Sequence, residues 1–236
     1  MTTKPGAVDL LCIALPNLRE HIPESIKCIQ RTMSDFDRQK WNAKYVEDAA
    51  SDPSAVLTSL AEYLPEAGQV LDIAGGAGRN AIWLAQRGLD VTVADISEVG
   101  LSVARQRAAE AGVSLQTLTI DFDVEDLPAG PWDLVLSVCF LCRKTIAKVP
   151  GILKVGGRLV MIQPTLRNLE RHSKPPADFL LRENELPTLV GPLEIVCYRE
   201  DWHEDGRHDA VVVAQRRRVK GAGVNCRNGP SGASHN

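Results

Sequence analysis

Five short apolar runs separated by helix-forming stretches dominate the middle of the chain, and that rhythm leaves few folds open. The runs are QVLDIA (69–74), DVTVADI (90–96), SLQTLTI (114–120), WDLVLSVCF (132–140) and GGRLVMIQP (156–164). After the first comes RNAIWLAQRG, which puts Ala81, Leu84 and Ala85 on one helical stripe and stops at Gly88. After the second, Ser97 stands where a helix cap belongs. Leu101, Ala104 and Ala108 then form the apolar face of EVGLSVARQRAAEA, which ends at Gly112. TIAKVPGIL is a helix bent or broken at Pro150, and PSAVLTSLAEYL also reads as helix. Strands alternating with helices specify a parallel sheet covered on both faces.

The last two strands break the rhythm. LEIVCYRE and HDAVVVAQ are separated only by DWHEDGR, too short for a crossover helix, so they pair as an antiparallel hairpin. The predicted fold is α/β, a doubly wound Rossmann-like seven-stranded sheet with five parallel core strands and a C-terminal antiparallel hairpin. The domain is expected over 33–217, opening on MSDFDRQKWNAKYVEDAA, a capped and charged helix. Residues 1–32 lack sustained periodicity. They fit a mobile N-terminal extension, and equally a stretch wrongly included upstream of a native start at Met33. Residues 218–236, rich in Gly, Ser and Asn, have little to bury and are expected to be disordered.

Composition narrows the function classes. A chain of 236 residues with 27 basic and 30 acidic side chains has a net charge of -3, which supplies no global drive toward nucleic acid or membranes. No apolar run approaches the roughly 20 residues that span a bilayer, and the N-terminus, with one lysine and a patch broken by Pro16, is a poor signal peptide. A cytoplasmic location is expected. The six cysteines (12, 28, 139, 142, 197, 226) lack framework spacing and read as reduced thiols. Cys139 and Cys142 have no second pair, so buried small hydrophobes are expected there and no metal site. The basic run AQRRRVK follows the last strand and reads as a solvated end.

In such sheets ligands bind beyond the carboxyl ends of the strands, where the strand order reverses. The loop there is Ala74-Gly75-Gly76-Ala77-Gly78, a backbone bare enough for a ligand to lie against it. A nucleoside triphosphate loop needs Lys-Ser/Thr after the last glycine, and Arg79-Asn80 follow instead. A dinucleotide loop needs G-x-G-x-x-G, which is absent, and Asp72 just before the loop would repel pyrophosphate. A carboxylate there suits a cationic, amino-acid-like ligand. Asp95 ends the second strand, placed to accept from ribose hydroxyls, and Asp121 ends the third, with Phe122 beside it to lie against a base. Acids at three successive strand ends fit S-adenosylmethionine.

The same stretches resemble class I S-adenosylmethionine-dependent methyltransferases over about residues 36–217. Within that superfamily WNAKY, LDIAGGAGRNAIWLAQRG, PAGPWDLVLSVCFLCR, LKVGGRLVMIQPT and FLLRENEL resemble the small bacterial tellurite-resistance and thiopurine-type enzymes. Ala74 departs from the family's usual glycine, and LKVGG from its usual LKPGG. The resemblance implies donor contacts from Trp41, Asp72, Ala74, Gly75, Gly76, Gly78, Asn80, Asp95, Ile96, Asp121, Phe122 and Cys139. It also implies that Trp41 and Tyr45 lie over the donor's amino-acid end. The expected function is methyl transfer to a small-molecule acceptor, with thiols and chalcogen or metalloid compounds among the candidates and no nucleic-acid or membrane partner. A soft acceptor needs little help from a base, and no catalytic motif stands out. Arg143, His172 and Tyr45 are the weak catalytic candidates. A nicotinamide-dependent oxidoreductase and a non-catalytic S-adenosylmethionine-binding protein remain the alternatives.

Overall fold

The computed structural model describes residues 24–47 and 52–217, with side chains from Ser34 onward. The expected tail after 217 and most of the expected extension lie outside these residues. The first helix, α1, runs Glu24–Glu47 and so passes through the boundary expected at Met33.

Seven strands form one sheet: β1 (Gln69–Ile73), β2 (Asp90–Asp95), β3 (Gln116–Thr119), β4 (Trp132–Val138), β5 (Leu153–Pro164), β6 (Glu194–Trp202) and β7 (His208–Gln215). Their spatial order is β3-β2-β1-β4-β5-β7-β6. β1 through β5 are mutually parallel, β7 lies antiparallel to β5, and β6 pairs antiparallel with β7. The predicted architecture is the one observed. The order reverses between β1 and β4, which places the crevice at their carboxyl ends.

Successive residues of the central strands face opposite sides, and both sides are dry. Leu71, Ile73, Val135, Leu159 and Met161 pack on one face with Ile146, Leu186 and Val190. Val70, Leu134, Leu136, Val160 and Ile162 pack on the other with Leu57, Leu84 and Leu101. The helices that cover them include α3 (Arg79–Gln86) and α4 (Glu98–Glu110), whose predicted apolar residues Ala81, Leu84, Leu101, Ala104 and Ala108 are all buried. Ser97 caps α4 by accepting from the Gly100 amide at 3.0 Å.

Two predicted helices are shorter than expected. PSAVLTSLAEYL forms α2 (Ala55–Thr58) and a separate 3₁₀ turn at Ala61–Tyr63. Thr58 and Ser59 hydroxyls bond back to the Ala55 and Val56 carbonyls at 3.0 and 2.8 Å, competing with the helical ladder. The 143–152 stretch divides into α5 (Arg143–Ile146) and α6 (Val149–Ile152), the break falling just before Pro150. A last short helix, α7 (Glu185–Leu189), follows the long connection after β5. Among the described residues no helix is long and apolar enough to cross a membrane.

Candidate functional site

A cavity of about 390 Å³ opens at the carboxyl ends of β1, β2 and β4, with α1 as its roof. Eleven of the twelve residues expected to meet the donor line it; Gly76 does not. Asp72, the penultimate residue of β1, is 1% exposed. Its Oδ2 has no hydrogen-bond partner in the protein. Burial, reinforced by the nearby Asp95 charge and opposed by Arg79, pushes its carboxyl up to about 7 from an ordinary 3.8.

The glycine loop is built around that carboxylate. A Cβ on Gly75 would stand 2.6 Å from Asp72 Oδ2 and 2.7 Å from a Val93 methyl, so no side chain fits there. Ala74 adopts φ 53°, a left-handed conformation that costs a non-glycine residue about 1 kcal/mol. The alanine in place of the family's glycine is therefore tolerated under strain. Gly76 sits at φ 54° behind the cavity wall, where a Cβ would collide with the Tyr45 hydroxyl. Its part is to let α1 close over the loop.

Asp95 is clamped rather than orphaned. Oδ2 accepts from the Gly76 amide at 2.9 Å and Oδ1 from the Ser97 amide at 2.8 Å, leaving each oxygen a second lone pair. Desolvation raises its pKa, and the amide bonds from Ser97, Gly76 and Ile96 pull it back. Asp121 is buried, with Oδ1 accepting from Asp123 N at 2.9 Å and Oδ2 unpartnered within the protein. Phe122 and Phe140 stand beside it with ring centroids 5.6 Å apart, tilted by 52°. Asn80 reaches the cavity, but its Oδ1 is taken by the Ser54 amide at 2.9 Å.

α1 contributes more than the sequence reading expected. Asp37, Trp41, Lys44 and Tyr45 all line the cavity, spaced as one helical face. Extending the Trp41–Tyr45 spacing back one turn would have found Asp37. Trp41 and Tyr45 stack at 5.9 Å, with the Lys44 ammonium 4.5 Å from the Trp41 ring. Asn42 ties the helix down: its Oδ1 accepts from the Ser97 hydroxyl at 2.6 Å and the Val99 amide at 3.4 Å. Asp123 and Arg107 are further lining residues that no sequence signal marked.

The weak catalytic candidates part company. Tyr45 is at the cavity. Arg143 instead pairs with Glu185, its Nη2 3.0 Å from Oε2, and donates to the Leu180 carbonyl at 3.3 Å. His172 Nε2 lies 2.9 Å from the Gly206 carbonyl, outside the cavity. Cys139 and Cys142 are corrected from the expected burial: Cys139 is exposed at the cavity wall with φ 57°, and Cys142 is half-buried. The β6–β7 turn also sits beside the cavity. Because β7 runs antiparallel to β5 in the register Pro164↔Asp209, the turn falls at the carboxyl edge of the sheet. There Arg207 Nη1 comes within 3.8 Å of Cys139 Sγ.

Residues 70–157 match the family described as "Methyltransferase domain". Over that stretch the chain is similar to methyltransferases. Over 177 residues it is 22% identical to the probable S-adenosyl-L-methionine-dependent methyltransferase TehB of Haemophilus influenzae, covering 72% of this chain and 58% of that protein. Over 128 residues it is 30% identical to the tRNA 5-carboxymethoxyuridine methyltransferase of Escherichia coli K12, covering 51% of this chain and 49% of that one. The chain thus spans about half to three-fifths of the curated relatives' length. The crystal structure of TehB from Haemophilus influenzae superposes on this chain with a TM-score of 0.57 at 22% identity, covering 76% of this chain and 67% of that one. The fold is the one such solved structures share. Among the described residues no group of three or more His, Cys, Asp or Glu is arranged to hold a metal ion.

Proposed function

We propose that this chain transfers a methyl group from S-adenosylmethionine to a small-molecule acceptor. The observation that carries the reading is Asp72 Oδ2, buried and without a protein partner beside a glycine that no side chain could replace. A buried, unpaired carboxylate costs several kcal/mol unless something cationic meets it. The ammonium of an amino-acid-like donor supplies that charge, and its sulfonium supplies an activated methyl carbon whose bonding pair stays with sulfur on transfer.

The other walls suit the rest of the donor. Asp95 keeps lone pairs for ribose hydroxyls while its backbone clamps hold it in place. Asp121 Oδ2 waits for a donor such as an exocyclic amine, and Phe122, Phe140 and Ile96 form an apolar slot for the base. Trp41 and Tyr45 roof the amino-acid end and keep water from it. Alignment and exclusion of water are most of what such a displacement asks of the protein. With Arg143 and His172 engaged elsewhere, the reading favours an acceptor that reacts without a dedicated base, such as a thiolate or another already anionic nucleophile.

Calorimetric titration tests the proposal directly. S-adenosylmethionine and S-adenosylhomocysteine are expected to bind in the micromolar range and NAD not at all. Binding of NAD, or of neither adenosyl compound, would refute it.

A further inference from the structure

Beyond the end of β5 lies a second cavity of about 520 Å³ whose charge is opposite to that of the first. The donor cavity is lined by five aspartates against three basic side chains, Lys44, Arg79 and Arg107. Of the eight residues around the second, three are Arg171, Lys174 and Arg207, a fourth is His172, and none is acidic.

The two cavities meet at one pair of side chains. Arg207 lines the second, and its guanidinium touches Cys139, which lines the first. Cys139 is fixed there by its backbone N–H, which donates to the Ile162 carbonyl at 2.9 Å. The covering connection is also fixed. Asn168 bonds to the Thr165 carbonyl at 3.1 Å and to the His208 carbonyl, and His172 bonds to Gly206. Asp205 orients Arg207 at 2.8 Å, with the buried Asp209 4.0 Å away. Arg171 lies 3.8 Å from the Trp202 ring centroid, a contact through its face that leaves its in-plane N–H groups for other partners. Lys174 is exposed and has no hydrogen-bond or ion-pair partner among the described residues.

We infer that this second cavity seats the methyl acceptor, and that the acceptor is a small organic anion. Its carboxylate or phosphate ester rests on Arg207, Arg171 and Lys174. The inference rests on the donor reading above, since it is the edge shared with that cavity that makes the second one an acceptor site. Guanidinium forks match the oxygen spacing of both anionic groups. Pro164 and Pro175 add apolar wall for an organic body, which a bare inorganic oxyanion would leave unused.

The test uses the full chain saturated with S-adenosylhomocysteine, titrated calorimetrically with benzoate and phenyl phosphate. Benzamide serves as the neutral shape control, inorganic phosphate and selenite as small oxyanions, and a short single-stranded RNA as a polyanion. Benzoate or phenyl phosphate is expected to bind at least about tenfold more tightly than benzamide. R207A and K174A should each weaken that binding by about tenfold while changing S-adenosylhomocysteine affinity by less than about twofold. K174A alters an exposed side chain, so it reads the site even if R207A unfolds the turn. Equal binding of benzamide, tighter binding of an inorganic oxyanion or of the RNA, or no organic anion binding at all would overturn the inference. Failure of S-adenosylhomocysteine to bind would instead strike the donor reading, and the anion titrations are run without it as well.

Discussion

Replacing Asp72 by Asn should make the empty domain more stable and the donor a poorer ligand, with the first effect dependent on pH. The Asp72 carboxyl lies at about 7 in the folded chain against an ordinary 3.8. The folded state therefore holds its proton more tightly than the unfolded one between those values. Stability is fully present below 3.8, falls as pH rises through that window, and levels off above 7. Three units at about 1.4 kcal/mol each amount to about 4 kcal/mol lost to the ionised, unpartnered carboxylate. Asn removes the charge but leaves a buried amide short of partners, returning about 1–3 kcal/mol of cost. That amide cost is the same at both pH values and cancels in the difference between them. The advantage of D72N over the parent should be larger at pH 8 than at pH 5 by about 2–3 kcal/mol, because two of the three units fall in that interval. Urea melts of both proteins at the two pH values read it directly. In the parent, affinity for the cationic donor should rise with pH up to about 7 and then flatten. An identical stability difference at pH 5 and pH 8 would refute the reasoning, since it would mean that Asp72 does not titrate in between.

Four further outcomes follow from the same geometry. D95A should cost about 1–3 kcal/mol of donor affinity by calorimetry, and its melts should show a loss of similar size as the Gly76 and Ser97 amides lose their acceptor; unchanged affinity would mean the crevice is misassigned. G75A drives a methyl into Asp72 and Val93, and a destabilisation of about 1–3 kcal/mol in denaturant is expected with weakened donor binding. G100A places a Cβ 2.7 Å from the Tyr45 ring, so hydrogen exchange of the 34–46 amides should quicken while the sheet amides keep their protection. T165V removes the hydroxyl 2.7 Å from His208 Nδ1 inside a buried network, and a loss of about 1–3 kcal/mol is expected from equilibrium unfolding.

The strands, their parallel order and the closing hairpin were legible because each is written in local pattern: apolar runs of strand length, glycine stops, and a connection too short to cross over. The acids at three strand ends were legible for the same reason, since strand ends in such a sheet share one edge. What escaped was how loops return. Nothing local to Arg143 reveals that Glu185, 42 residues on, will take its guanidinium, and nothing near His172 reveals Gly206. The position of the β6–β7 turn was within reach, because a final strand antiparallel to β5 must begin at the carboxyl edge. The shortened helix at 55–58 turned on hydroxyl back-bonds, which compete with the ladder only weakly and seldom decide a helix end from sequence alone.

The roof of the first cavity is a helix remote in sequence from the sheet, and it meets the start of α4 through the Asn42 amide oxygen and through the Tyr45 ring against Gly100. Loosening either contact changes how α1 sits while every strand-end carboxylate stays in place, which makes the residence time of whatever lies beneath adjustable from the roof alone.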